Sequence, residues 1–81
     1  SVVADLTLKG GLGVVPMSFR GLPRHGDWQL QRLQGSAWVA YEPAVHGNDH
    51  WQAVFSPKSQ DWTLTFSVLG ATEQRYRLVA L

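Results

Sequence analysis

The chain has 81 residues, of which 44% are hydrophobic and 16% charged, with four Trp, three Phe and two Tyr. That excludes a disordered, charge-rich chain and leaves one small domain, in which most apolar residues must serve a single core. Seven Lys and Arg against six Asp and Glu give a net charge of +1 without a basic block, so the footprint of a nucleic-acid binder is missing, and zero Cys excludes a disulfide scaffold or a thiolate zinc site.

Eight Gly and four Pro cut the chain into short segments, and the period within those segments is two. Val2, Ala4, Leu6 and Leu8 alternate with Val3, Asp5, Thr7 and Lys9, which predicts a first strand ended by Gly10-Gly11. Val15, Met17 and Phe19 alternate with Pro16, Ser18 and Arg20; Pro16 donates no ladder hydrogen bond, so this second strand belongs at an edge or is interrupted. After the turn Gly21-Leu-Pro-Arg-His-Gly26, Trp28 and Leu30 face one side and Gln29 and Gln31 the other. Leu33 breaks that phase, which predicts a bulge or the strand's end. Gln34-Gly35-Ser36 turns the chain into a fourth strand, Ala37 to Tyr41.

A longer loop is expected from Pro43 to Asp49, then a strand from Trp51 to Phe55 with Trp51, Ala53 and Phe55 on one face. Ser56-Pro-Lys-Ser-Gln60 reads as a turn because Pro presets one dihedral and the rest is polar. The clearest strand is Asp61-Trp-Thr-Leu-Thr-Phe-Ser-Val68, where Trp62, Leu64, Phe66 and Val68 alternate strictly with polar residues. Leu69-Gly70-Ala71 is read as a hairpin turn into a last strand from Arg75 to Leu81; a helix from Ala71 capped by Thr72 is the alternative. Arg75 and Arg77 fall on one face of that strand, a pattern that keeps an edge strand from aggregating. Seven short strands with turns every eight to twelve residues or so predict an all-β, immunoglobulin- or fibronectin-III-like antiparallel sandwich.

The chemistry-bearing motifs are few. His46-Gly-Asn-Asp-His50 spaces two imidazoles as a metal-binding helix would, but Gly47, Asn48 and Asp49 argue for a loop without fixed ligand geometry, so no metal and no cofactor are expected. The six acids, Asp5, Asp27, Glu42, Asp49, Asp61 and Glu73, fall mostly at strand ends and turns, where solvated carboxylates lie, and no Gly-x-Ser-x-Gly elbow occurs. A sandwich this small has little interior for a catalytic cleft, so catalysis is not expected. Gly10-Gly-Leu-Gly13 is followed by Val14-Val-Pro16, not by a helix that presents its N-terminus to phosphate. No apolar run reaches the ~18–20 residues of a membrane-spanning helix.

What remains is an aromatic surface. Trp62 and Trp28 are in phase with core residues, whereas Trp38 and Trp51 flank the polar loop from Glu42 to His50. The candidate binding residues are therefore Trp38, Tyr41, His46, Asn48, Asp49, His50 and Trp51: ring faces for the C–H face of a sugar, and polar groups for its hydroxyls or for a partner's backbone. The competing assignment for each tryptophan is the core.

Phe19-Arg-Gly-Leu-Pro23, Trp28-Gln-Leu-Gln-Arg32 and His46-Gly-Asn48 leading to Trp51 together resemble the C-terminal β-sandwich of bacterial family-39-type glycoside hydrolases. The resemblance implies an accessory, non-catalytic domain of a secreted or periplasmic protein. Its partner would be the neighbouring catalytic domain, against which the loop His46–Trp51 would pack, or a polysaccharide. The alternative is a protein–protein module of an envelope or surface assembly that uses an exposed strand edge, with the first two strands as the edge.

Overall fold

The computed structural model describes residues 1–23, 27–42, 49–68, 70 and 72–81, without the side chain of Asp49. Seven strands form: β1 (Val2–Leu8), β2 (Gly13–Arg20), β3 (Trp28–Gln34), β4 (Ala37–Ala40), β5 (Asp49–Ser56), β6 (Asp61–Val68) and β7 (Gln74–Ala80). They make a four-stranded sheet ordered β1-β7-β3-β4 and a three-stranded sheet ordered β2-β6-β5, with every pair antiparallel. The architecture is the expected all-β sandwich, and no described residue is helical.

The period-two pattern converts directly into burial. Along β6 the alternate residues Leu64, Phe66 and Val68 are fully buried, and on β7 Tyr76 and Leu78 face them from the other sheet. Leu8, Leu22, Leu30 and Trp51 complete the core, with Met17, Phe19, Trp28 and Trp62 packed around it. Rings interlock across the interior, Phe66 on Tyr76 at 5.2 Å and Trp28 on Trp62 at 5.4 Å between centroids. Among the described residues, no polar or charged one is buried.

Several local expectations change once the pairing is seen. The residues Leu69-Gly70-Ala71, of which Leu69 and Ala71 lie outside the described set, do not make a hairpin: β6 and β7 belong to different sheets, so the connection crosses the sandwich. Gly11 N donates to Gly70 O at 2.8 Å, which ties this crossing to the one between β1 and β2. The alternative helix from Ala71 is absent, since Gln74–Ala80 is a strand paired on both sides. Leu33 marks no bulge: β3 keeps its register to its end at Gln34, one residue on, and Leu33 sits opposite Trp38 on the outward face. Asp49 and His50 belong to β5 rather than to a loop, because pairing with β6 continues through Asp49↔Val68 and His50↔Ser67. Finally, β7 lies between β1 and β3, so Arg75 and Arg77 do not guard an edge.

Pro16 behaves as its chemistry requires, since β2 is an edge strand paired only with β6. Gly35 has φ of 65° at the first central position of the two-residue loop between Gln34 and Ala37, the place where a type II′ hairpin wants glycine.

The connectivity departs from the immunoglobulin order, in which the first, second, fourth and fifth strands share a sheet. The β1–β7 ladder extends to Ser1, where Ala80 N donates to Ser1 O at 2.9 Å and the Ser1 amine donates to Ala80 O at 3.0 Å.

Candidate functional site

The candidate residues divide among three places. Trp51 points inward from β5 and is 6% exposed; its indole Nε1 donates to the Tyr41 carbonyl at 2.9 Å. Tyr41 follows β4, stacks on buried Tyr76 at 5.7 Å and 24°, and has the Arg32 guanidinium 4.4 Å above its ring. Its ring is thereby engaged by protein groups. Trp51 and Tyr41 are thus brought together, but as packing partners. His50 stands half-buried on β5 with the phase of Gln52 and Val54, on the outward side of the three-stranded sheet. His46 and Asn48 lie outside the described residues, as does the Asp49 side chain, so the His46–His50 pair has no described geometry. Among the described residues no cluster of three or more His, Asp or Glu side chains is placed to hold a metal ion.

Tyr41 and Trp51 also line a recess of about 280 Å³ with Trp28, Gln29, Leu30, Glu42 and Leu81. Its lining is mainly apolar, and Glu42 is the one carboxylate among those residues. Trp28 Nε1 is buried without a hydrogen-bond partner among the described residues, as is His50 Nδ1.

Trp38 is different. It belongs neither to the core nor to the residues packed on it, whereas Trp28, Trp51 and Trp62 all do. Strand phase explains why: Tyr76 and Leu78 turn inward, so Arg75 and Arg77 turn outward, and the residues opposite them share that side. Asp5 and Gln31 lie opposite Arg77, Thr7 lies opposite Arg75, and Leu33 carries the row on to Trp38. The half-buried Trp38 ring has the Arg77 guanidinium carbon 4.5 Å from its centroid and that of Arg75 at 5.7 Å, both within the range of cation–π attraction. Arg77 Nε donates to Gln31 Oε1 at 2.6 Å, and Gln31 Nε2 donates to Gln29 Oε1 at 2.8 Å. Arg75 Nη2 reaches Asp5 Oδ1 at 3.5 Å, a loose pair of half-exposed side chains of the kind that contributes little.

The outer face of the four-stranded sheet therefore carries one indole, two guanidiniums and two side-chain amides held in a connected row. Gln29, Gln31, Arg75 and Arg77 were not among the sequence candidates. The alternation that makes Trp28 and Leu30 core also turns Gln29 and Gln31 outward, but nothing in the sequence says that β7 pairs with β3 and so brings the arginines beside them.

A sugar platform of two coplanar exposed rings is not formed among the described residues. The one nearly parallel pair, Tyr41 and Tyr76, is half-buried and buried respectively. No described helix is long and apolar enough to cross a membrane. Comparison with family models, curated protein sequences and solved structures finds no match for this chain.

Proposed function

We propose that the chain is a non-catalytic accessory module of a larger, extracytoplasmic bacterial protein acting on polysaccharide, and that it binds carbohydrate on the outer face of the four-stranded sheet around Trp38. The observation that carries the reading is the isolation of Trp38 from the core amid Gln29, Gln31, Arg75 and Arg77. An indole supplies apolar area for the C–H face of a sugar, while amides and guanidiniums supply donors and acceptors for its hydroxyls. The non-catalytic part rests on the sequence, whose acids fall mostly at strand ends and turns and which has no Gly-x-Ser-x-Gly elbow. The extracytoplasmic setting and the catalytic neighbour follow from the resemblance of Phe19–Trp51 to accessory sandwiches of family-39-type glycoside hydrolases.

Protein contact through the first two strands is less well supported. Both are edges, but Pro16 removes a donor from β2, and the register of β1 shifts between Val2 and Ala4. Their exposed apolar residues also fail to form one patch: Val2 and Val3 sit at one end of β1, and Leu12 and Val14 follow its other end, about 20 Å away at strand rise.

Affinity electrophoresis through gels containing single polysaccharides tests the proposal. Wild-type protein is retarded by at least one polymer, and Trp38→Ala weakens that binding by roughly tenfold or more with its circular dichroism unchanged. No retardation across cellulosic, xylan, mannan, pectic and glucan polymers, or equal retardation of the variant, sinks it.

A further inference from the structure

The outward positions of the four-stranded sheet carry a sign as well as a ring. Two guanidiniums, Arg75 and Arg77, stand there on β7, and Asp5, the one acid among those strand positions, lies opposite Arg77 on β1. Asp5 nonetheless reaches toward Arg75, at 3.5 Å between side chains that are 57% and 49% exposed, and a pair so loose and so wet neutralises little. The ion pairs among the described residues are this one and Arg20–Asp61, so Arg77 has no carboxylate there. Its Nε is held instead by a neutral acceptor, Gln31 Oε1, and Gln31 is held in turn by Gln29. Arg77 is thus a fixed, half-buried cation, its charge uncompensated, beside the Trp38 ring.

We infer that the carbohydrate taken by this face is anionic, a polysaccharide whose sugars each carry one carboxylate, and that Arg77 is the residue that recognises the carboxylate. The inference rests on the sugar-binding reading of the Trp38 face and adds the class of sugar. A guanidinium presents parallel N–H donors that match both oxygens of a carboxylate, and such charge-assisted bonds are about twice as strong as neutral ones. Attraction to an indole uses the π faces and leaves those donors, which lie in the guanidinium plane, to a ligand. The Gln31 bond fixes the plane beforehand, so less freedom is lost when the anion docks. The C–H face of the same or the next sugar then meets the Trp38 ring.

Charge balance also limits the ligand. Arg75 and Arg77 against Asp5 leave an excess of one positive charge on the outward strand positions of the sheet. That suits one anion per sugar, whereas a densely sulfated chain would set further anions against Asp5.

Calorimetric titration at about pH 7, where uronates are ionised, tests it with galacturonan and mannuronan oligosaccharides, each as the free acid and as its methyl ester. The two forms share a backbone and differ at the carboxyl group alone. The free acid of at least one binds about tenfold more tightly than its ester, and the preference shrinks at about 1 M salt, where charges are screened within ~3 Å. Arg77→Gln abolishes the preference with circular dichroism unchanged, and Arg77→Lys, which keeps the charge but loses the planar fork, retains only part of it. Arg20→Gln removes the same charge from an 85% exposed side chain on the other sheet and keeps the preference whole. Equal binding of acid and ester, or binding of neutral glucan, xylan or mannan oligosaccharides in place of both acids, overturns this inference and leaves the sugar face standing. A preference that survives Arg77→Gln, or that is lost as fully in Arg20→Gln, overturns it as well, and so does tighter binding of dextran sulfate. Polyglutamate bound as tightly as the uronans, or no saccharide bound at all, removes the sugar face and this inference together.

Discussion

Trp51 and Trp38 have equal standing as binding residues in the sequence, and the structure separates them sharply enough to be tested by stability alone. Trp51→Ala removes a side chain that is 6% exposed, touches Trp28 at 6.0 Å between ring centroids and donates to the Tyr41 carbonyl at 2.9 Å. A buried Trp→Ala change costs about 3–5 kcal/mol. Against a total of about 4–12 kcal/mol for a domain of this length, that is about a quarter of the stability or more. Trp51→Phe keeps most of the apolar volume but removes the indole donor, and costs about 1–2 kcal/mol. Trp38→Ala gives up contacts with two arginines on an outward face, worth about 1 kcal/mol or less. Urea unfolding followed by far-ultraviolet circular dichroism reads all three on one scale, and the ranking Trp51→Ala, Trp51→Phe, Trp38→Ala is the expected outcome. If Trp51→Ala costs less than about 1 kcal/mol, or Trp38→Ala costs as much as Trp51→Ala, the assignment of the two rings to core and face is wrong.

Three further predictions concern single residues. Gln60 holds a positive φ of 60° in the β5–β6 turn, so Gln60→Gly relieves strain and raises stability by about 0.5–1 kcal/mol despite losing the exposed bond from Gln60 Nε2 to Pro57 O; Gly35→Ala, at φ of 65°, lowers it by a similar amount, both read as urea midpoints. The Arg20–Asp61 pair at 3.2 Å has an Arg20 side chain that is 85% exposed, so Arg20→Gln shifts unfolding free energy by no more than about 0.5 kcal/mol at moderate salt.

Strand existence is legible here because one face of each strand is buried and the other wet, and Leu64, Phe66 and Val68 show that alternation without interruption. Local chemistry is legible too: Pro16 marks an edge and Gly35 marks a hairpin. Strand pairing is not, because partners are chosen across the chain by burial of the whole. Gly70 sits in a segment that reads as a hairpin turn, yet the strands on either side do not pair with each other: β6 pairs with β2 and β5, and β7 with β1 and β3.

The same limit governs the site. Proximity to a polar loop marks Trp51 as a surface ring, but its phase with Ala53 and Phe55 carries it inward. Trp38 was found for that reason of proximity, while its actual companions, Arg75 and Arg77, come from a strand more than thirty residues away. Leu33 illustrates the point from the other side: an apolar residue out of phase is not a defect when it stands on the outward face opposite Trp38.

The central claim is that carbohydrate binds on the outer face of the four-stranded sheet, and a two-dimensional ¹H–¹⁵N spectrum titrated with oligosaccharides tests it most directly. The account predicts shifts confined to the Trp38 indole, the Gln29 and Gln31 side-chain amides and the Arg75 and Arg77 guanidinium signals, with the Trp28, Trp51 and Trp62 indoles unmoved. A dispersed spectrum that stays still at millimolar oligosaccharide, or shifts centred on Trp28 and Trp51, would contradict it.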